Sequence, residues 1–283
     1  MNPKILVVEI TPECNLKCKF CYNDWESNKL NSLTFDEFKD KIVFLLEELK
    51  FDTICFAGGE PLLFENLDDI ILFLRNKYSH LDIGIITNGV LLSDAKLAAL
   101  IKSGLSYIEV SLFSVDKNIY TDISGTNLLE DVKNNILNIQ KYGINSRLAI
   151  TIFNNNIDDL KDVLLFAIGA GIEFIALNPF VQAGRGEKNK NLKLRKSQLE
   201  LALLIADNFA SKYCLLIHIT IPIKNLINED DYSNLLFSEC ECGSRKLTLS
   251  PNGKLKICEH RNEIIEIDDV KNYQNRCNGC KIK

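Results

Sequence analysis

The stretch Cys14-Asn15-Leu16-Lys17-Cys18-Lys19-Phe20-Cys21-Tyr22 sets three cysteines into one short segment. It follows the apolar run Lys4–Ile10, which has the composition of a β-strand, so we expect the cysteines in a loop after the first strand. Three thiolates this close can ligate three irons of a [4Fe-4S] cluster and leave the fourth iron open. A zinc site would need four ligands and no fourth Cys or His lies nearby, while a disulfide would leave one thiol over.

The distribution of cysteines along the chain also indicates metal ligation. The chain has ten cysteines, of which three lie within Cys14–Cys21 and five within Cys240–Cys280. Disulfides are rare in a reducing compartment, and random use in a core would scatter the cysteines more evenly. We therefore expect two metal-binding segments.

Composition and charge narrow the class of protein. Hydrophobic residues make up 46% and charged residues 25% of the 283-residue chain, which is ordinary for a soluble globular protein. The net charge of -5 provides no basic surface for nucleic acid. No apolar run is long enough to span a bilayer, and the start of the chain does not resemble a signal peptide. We expect a cytoplasmic protein with no nucleic-acid or membrane partner.

The first two-thirds of the chain alternates β-rich runs with amphipathic helical stretches. A capping box, Thr34 with Glu37, opens the first helix. Six βα units in a row predict an α/β fold with a parallel sheet and right-handed crossovers. The pattern fits both an open sheet and a partial barrel. The predicted strands are Lys4–Ile10, Thr53–Ala57, Asp82–Thr87, Tyr107–Leu112, Ser146–Ile152 and Glu173–Leu177.

In either architecture the chemistry should collect at the carboxyl ends of the strands. The cysteine loop follows the first strand, and Gly58-Gly59-Glu60-Pro61 follows the second. Asn88 follows the third strand, and Ser111 lies near the end of the fourth. We expect these residues to meet at one edge of the sheet.

The amino-acid composition of the chain changes near Ser238. Cysteines become dense, and Ser250-Pro251-Asn252-Gly253 has the composition of a hairpin turn between Lys246–Leu249 and Lys254–Ile257. Such a segment is too small for its own apolar core and depends on a metal for stability. We expect a core domain over residues 1–213 and a small cysteine-rich auxiliary domain over residues 214–283.

The quoted cysteine stretch resembles the signature of the radical S-adenosylmethionine (SAM) enzymes, including the aromatic residue before the third cysteine. The Gly-Gly-Glu-Pro turn stands where that family carries its glycine-rich SAM-binding turn. This resemblance implies a partial (β/α)6 TIM-like barrel. It implies a [4Fe-4S] cluster on Cys14, Cys18 and Cys21, whose open iron chelates SAM.

The resemblance also implies roles for individual side chains around SAM. The glycines let the backbone approach closely, and Glu60 can accept hydrogen bonds from the SAM amino group. In the family, an electron from a donor such as flavodoxin or ferredoxin cleaves SAM, and the 5′-deoxyadenosyl radical takes a hydrogen atom from substrate. The residues assigned to SAM are Phe20 and Tyr22 near adenine, Gly58, Gly59 and Glu60 at the turn, and Asn88, Ser111 and Arg147 at the ribose or carboxylate.

The second cysteine segment resembles the Twitch appendage, a shortened SPASM domain. Four thiolates can fully ligate an auxiliary [4Fe-4S] cluster, although the same set could hold a tetrahedral zinc ion. The resemblance to a radical SAM core favours iron and sulfur. The expected ligands are Cys242, Cys258, Cys277 and Cys280.

Radical SAM proteins with such appendages mostly modify ribosomally made peptides, by epimerisation or by thioether or carbon–carbon crosslinking. The resemblance therefore implies a peptide substrate. The alternative is a small-molecule dehydrogenase acting on a sugar alcohol in an antibiotic pathway. A purely structural scaffold does not fit an intact glycine turn beside an open cluster.

Two further residues are candidates for catalysis. Glu109 shares a strand face with Ser111 and could act as a base or a substrate contact. Cys240 lies outside the expected ligand set, and its thiol could return a hydrogen atom to a substrate radical, as an epimerase requires. Cys240 could equally be an idle thiol or a ligand in place of Cys242, and Cys55 is the second choice as donor.

Overall fold

The computed structural model describes residues 4–24, 32–240, 243, 245–260 and 263–266. The strands are β1 Ile5–Thr11, β2 Thr53–Gly58, β3 Asp82–Thr87, β4 Tyr107–Ser111, β5 Asn145–Ile152, β6 Phe174–Pro179, β7 Leu216–Ile219, β8 Leu235–Phe237, β9 Lys246–Leu249, β10 Leu255–Lys256 and β11 Ile264–Ile265. The helices are α1 Phe35–Leu49, α2 Leu67–Lys77, α3 Asp94–Lys102, α4 Lys117–Ser124, α5 Leu129–Ile139, α6 Leu160–Gly169 and α7 Lys196–Tyr213.

One sheet runs through the described residues, in the order β11-β10-β9-β1-β2-β3-β4-β5-β6-β7-β8. Strands β1 to β6 are parallel, and each lies beside the next in sequence. Helices connect these strands, as expected for right-handed βα crossovers. The architecture is an α/β fold resembling a partial TIM barrel, which confirms the predicted class.

The outer face of the sheet packs on the helices. Leu6, Val8 and Ile10 of β1 are fully buried and belong to one core cluster with Phe38 and Ile42 of α1. The capping box of α1 is present as predicted: the backbone N–H of Glu37 donates to Thr34 Oγ1, and the backbone N–H of Thr34 donates to the Glu37 carboxylate. Alternation along the strand and helical periodicity therefore describe the same core.

The segment between β4 and β5 differs from prediction. One helix was expected there, but the chain forms α4 and then α5. Helix α4 ends at Gly125, whose φ of 78° lies in the left-handed region that favours glycine at a helix end. The interruption places the end of α4 beside the cysteine loop.

Two strands, β7 and β8, extend the sheet beyond the six predicted strands. Strand β7 pairs in parallel with β6, and β8 pairs in parallel with β7. Both strands lie after residue 213, the predicted end of the core domain. With four and three residues, they are too short for a clear alternation pattern. The division of the chain into residues 1–213 and 214–283 stays a prediction.

The predicted hairpin is confirmed. Strand β9 pairs in parallel with β1, and β10 returns antiparallel to β9. At the turn, the backbone N–H of Ser250 donates to the Lys254 carbonyl, and Gly253 has a φ of 78°. The hairpin thus extends the edge of the sheet at β1. No described helix has the length and apolar character needed to cross a membrane.

Candidate active site

The inner face of the sheet is partly open at β4 and β5, where it carries polar side chains. In β4, Ile108 and Val110 are fully buried on the outer face, whereas Glu109 and Ser111 on the inner face are partly exposed. The same alternation holds in β5, where Arg147 lies on the inner face. Polar side chains that keep some access to solvent inside a partial barrel are typical of a substrate site.

The cysteine loop is fastened to α4 on one side. The backbone N–H of Lys17 donates to the Ser124 carbonyl (3.1 Å), and that of Lys19 donates to the Ile123 carbonyl (2.9 Å). Leu16 is buried between these contacts. Backbone hydrogen bonds to the end of a helix hold the loop in one shape before any cofactor binds.

A short 3-10 helix after β6, Gly184–Lys188, braces the other side of the cysteine loop. The backbone N–H of Gly186 donates to the Cys21 carbonyl (3.1 Å), and the Arg185 guanidinium donates to the Cys18 carbonyl (3.2 Å). A Cβ on Gly184 would lie 2.2 Å from the Tyr22 carbonyl oxygen, so only glycine fits there. These contacts hold the loop from the side opposite α4, through residues that are distant from it in the sequence.

The three thiols have the chemistry of cluster ligands. Burial raises the pKa of Cys14 to about 11 and raises the pKa of Cys18 and Cys21, while Arg185 lowers the pKa of all three. No disulfide joins the described cysteines. Such a thiol stays protonated in the metal-free protein and loses its proton when a metal binds to the sulfur. The donor set therefore fits a [4Fe-4S] cluster held by three thiolates.

No three His, Cys, Asp or Glu side chains in the described ranges converge on a point that one metal ion could occupy. Cys14 and Cys21 are nevertheless close enough to raise the pKa of Cys18. Ligands of a cluster each bind a different iron, so they need not converge on one point. The separation of the three thiols is therefore compatible with ligands of a polynuclear cluster.

The glycine turn after β2 lies directly against the cysteine loop. The backbone N–H of Gly59 donates to the Thr11 carbonyl, and that of Glu60 donates to the Glu13 carbonyl, each at 2.7 Å. A Cβ on Gly59 would lie 1.9 Å from the Glu13 carbonyl oxygen. Gly58 has a φ of 132°, which also favours glycine. The two predicted motifs are thus brought together, as the resemblance implied.

The Glu60 carboxylate is fully buried and accepts three hydrogen bonds within the protein. Its donors are the backbone N–H of Leu62 (3.1 Å), the Thr87 hydroxyl (2.7 Å) and the backbone N–H of Asn88 (2.8 Å). Burial raises the pKa of Glu60 to about 7, although these donors favour the ionised form. Glu60 ties the ends of β2 and β3 together, and its contact with SAM stays a prediction.

Asn88 and Ser111 lie at the carboxyl edge, as predicted. The Asn88 side-chain amide donates to Asn15 Oδ1 (2.8 Å) and lies 4.0 Å from Cys14 Sγ. Ser111 ends β4 and is partly exposed on the inner face. Asn88 thus lies beside the cysteine loop, and the contacts of both residues with SAM remain predictions.

The two aromatic residues of the cysteine stretch have different surroundings. Phe20 packs against Phe113 and Phe153, with ring centroids 5.0 and 5.9 Å away, and so anchors the loop to the core. The Tyr22 ring meets the edge of His260 at 5.3 Å. Packing of either ring near adenine stays a prediction.

Arg147 lies near the beginning of β5, deeper in the barrel than the other residues assigned to SAM. Its guanidinium lies 4.0 Å from the centre of the Tyr107 ring and 4.8 Å from that of Phe174. It is the register neighbour of Glu109 on β4. The family resemblance implies a role for Arg147 at the SAM carboxylate, which stays a prediction.

The second cysteine segment is described only in part. Cys258 is buried after β10, and the backbone N–H of His260 donates to its sulfur (3.3 Å). Cys240 is partly exposed and follows β8 at the carboxyl edge. The predicted ligands Cys242, Cys277 and Cys280 lie outside the described residues.

Comparison with known proteins assigns the family. Residues 8–167 match the sequence profile of the Radical SAM superfamily. The chain belongs to this superfamily. This radical SAM chain is therefore an enzyme whose cofactors are a [4Fe-4S] cluster and SAM.

Curated relatives of this radical SAM enzyme are named as nucleotide cyclases. A probable GTP 3',8-cyclase of Sulfurisphaera tokodaii is 29% identical over 281 residues, covering 94% of this chain and 84% of the relative. A GTP 3',8-cyclase of Clostridium perfringens is 25% identical over 272 residues, covering 90% and 80%. These relatives do not show the peptide-modifying subtype that the sequence motifs implied.

Solved structures share the fold of this radical SAM enzyme. Streptococcus suis SuiB bound to precursor peptide SuiA has a TM-score of 0.75 at 17% identity, covering 94% of this chain and 62% of SuiB. The enzyme anSMEcpe with bound AdoMet has a TM-score of 0.70 at 17% identity, covering 92% and 76%. At 17% sequence identity, this similarity shows a shared fold only.

Proposed function

We propose that this enzyme uses SAM to abstract a hydrogen atom from a compact polar substrate on the inner face of the barrel, and that the substrate is a purine nucleotide. The observation that carries the proposal is the polar, partly open inner face beside the cysteine loop. The named relatives support the nucleotide class, because they are GTP cyclases similar over 94% of this chain.

The cofactors would be held by residues already described. Cys14, Cys18 and Cys21 would ligate the cluster, and the Gly58–Gly59 turn, which packs on the backbone of the cysteine loop, would bind SAM beside it. When bound, the cluster supplies the electron that cleaves SAM, and an external donor such as flavodoxin or ferredoxin replaces it. The protein braces the loop from α4 and from Gly184–Lys188, and orients the substrate on the inner face.

A peptide residue is the second candidate substrate. On the described inner face, Lys246 pairs with Glu259 and Lys256 pairs with Glu9. Among the described residues of the inner face, Arg147 is a cation without an ion pair. A triphosphate is usually bound by several Lys and Arg side chains. The small number of unpaired cations on the described part of the inner face supports a substrate without phosphates.

We also propose that Cys242, Cys258, Cys277 and Cys280 hold an auxiliary [4Fe-4S] cluster. The confirmed hairpin at Gly253 and the buried position of Cys258 support a compact metal-bound segment there. A zinc ion on the same thiolates is the alternative. Metal analysis distinguishes them, because two clusters require about eight irons per chain.

Turnover in heavy water tests the substrate class. The anaerobic protein with reductant and SAM is given GTP, ATP or a short synthetic peptide, and 5′-deoxyadenosine and products are measured by mass spectrometry. The proposal expects 5′-deoxyadenosine and a rearranged nucleotide of unchanged mass with GTP. A peptide that gains one deuterium or loses two hydrogens, with GTP inert, would establish the second candidate instead.

A further inference from the structure

Glu109 and Arg147 form a pair of charged side chains on the inner face that do not bind each other. They are register neighbours on β4 and β5, so their Cα atoms lie side by side. No hydrogen bond or ion pair joins either side chain to any other residue within the described part of the chain. The Nε atom of Arg147 is buried without a partner.

Aromatic rings explain why the two charges stay apart. The Arg147 guanidinium lies over Tyr107, which stands two residues before Glu109 on β4, and beside Phe174 on β6. A guanidinium stacked on rings keeps its in-plane N–H donors available. The Tyr107 ring itself is fixed, because it covers Gly84, where a Cβ would lie 2.0 Å from the ring.

Space above the pair is kept by small side chains. Ala149 follows Arg147 on the same face of β5, and its register neighbour is Ala176 on β6. Glu109 is partly exposed, as is Arg147, so both can be reached from the inner cavity. The Glu109 carboxylate and the Arg147 N–H groups have lost part of their hydration and form no hydrogen bonds to the described residues in exchange. A ligand that supplies hydrogen-bond partners would compensate for this loss.

We propose that Glu109 and Arg147 recognise the guanine base of the substrate. The carboxylate accepts hydrogen bonds from guanine N1–H and the 2-amino group, and the guanidinium donates to O6. Adenine presents an amino group where guanine has O6, so it would set donors against the guanidinium. The inference rests on the proposed nucleotide substrate and adds base selection to it.

Equilibrium binding of GTP, ITP and ATP to the anaerobic, cluster-loaded protein with SAM tests the assignment. Wild-type protein should bind GTP about tenfold or more tightly than ATP, with ITP between them because it lacks the 2-amino group. Glu109→Gln and Arg147→Met should each weaken GTP binding about 10- to 100-fold. ATP binding should stay nearly unchanged in Glu109→Gln and should stay equal or rise in Arg147→Met, which removes the donors that oppose the adenine amino group. Glu130→Gln and Arg195→Met, at exposed positions, are the matched controls.

A specificity change guards against simple misfolding. Arg147→Gln should raise the affinity for ATP relative to GTP, because an amide can pair with adenine at N6 and N7. Iron content and melting temperature should stay at the wild-type values. Equal GTP affinity in wild type and both site variants would overturn the base assignment while leaving the nucleotide substrate intact. Failure of the wild type to bind any nucleotide would overturn both.

Discussion

The Nζ atom of Lys256 on β10 lies 2.7 Å from a carboxylate oxygen of Glu9 on β1, and both side chains are buried. That oxygen accepts no aligned hydrogen bond, so the contact is an ion pair. The other Glu9 oxygen accepts from the Asn23 side chain (3.3 Å), just after the cysteine loop. Burial raises the pKa of Glu9, and Lys256 acts against that shift. Through Glu9, the ion pair connects the β9–β10 hairpin, which is followed by Cys258, to the end of the cysteine loop.

Removing one partner of this pair should be costly. Lys256→Met leaves an unpaired carboxylate in the barrel and should lower the free energy of unfolding by about 3 to 5 kcal/mol, measured by urea denaturation under anaerobic conditions. Lys254→Met, at an exposed position of the same hairpin, should change it by less than about 0.5 kcal/mol. The double variant Glu9→Gln with Lys256→Met should lose less than the two single variants added together. Strict additivity would show that the ion pair contributes nothing.

The second prediction concerns the glycine turn. Gly59→Ala would place a Cβ 1.9 Å from the Glu13 carbonyl oxygen, so the turn must move away from the cysteine loop. We expect SAM binding, measured by equilibrium dialysis, to fall at least about tenfold. Gly169→Ala is the control: nothing lies within 4 Å of the added Cβ at the end of α6, and stability should stay equal or rise by up to about 1 kcal/mol. Unchanged SAM affinity in Gly59→Ala would refute the role of the turn.

The third prediction concerns the pH dependence of Glu60. Its pKa rises from an ordinary 4.5 to about 7 on burial, so the protonated form is favoured in the fold. Protonation of Glu60 therefore adds up to about 3 kcal/mol to the free energy of unfolding. This stabilisation is fully present below about pH 4.5 and is lost as the pH rises to 7. Glu60→Gln cannot titrate, and its amide group cannot accept all three hydrogen bonds, which should cost about 1 to 3 kcal/mol. Urea unfolding should show wild-type stability falling relative to the variant between pH 5 and 7. Parallel curves would contradict the shifted pKa.

The fourth prediction separates the two cysteine sets. The triple variant Cys14→Ala, Cys18→Ala, Cys21→Ala should form no 5′-deoxyadenosine under reduction, yet retain about four irons in the second segment. Cys214→Ala, at an exposed cysteine outside both sets, should keep the full iron content and activity. About one zinc and no iron in the triple variant would show that the second segment is a zinc site.

The fifth prediction concerns Cys240 and applies to the peptide candidate. If its thiol returns a hydrogen atom to the substrate radical, turnover in heavy water should place one deuterium on the α-carbon. Cys240→Ser should then still bind iron and cleave SAM, but should fail to complete epimerisation. A normal product from this variant would exclude the donor role and leave the thiol idle or a ligand.

Local requirements could be predicted from the chain. Three thiolates around one cluster need close spacing, a tight approach of backbone needs Gly58-Gly59, and a hairpin needs Gly253 at positive φ. Each requirement is met within a few neighbouring residues, so the cysteine loop, the glycine turn, the six core strands and the β9–β10 hairpin were all predicted.

Contacts that depend on register and on distant segments were decided only by the tertiary structure. No local pattern pairs Lys256 with Glu9 or separates Arg147 from Glu109, because these distances follow from strand order and from where the aromatic rings lie. Strands β7 and β8 form because β6 offers an unpaired edge, which supplies the backbone partners that such short runs lack alone. Glu60 is predicted from the sequence as a hydrogen-bond acceptor for SAM, whereas its burial against β3 follows from the parallel pairing that brings Thr87 beside it.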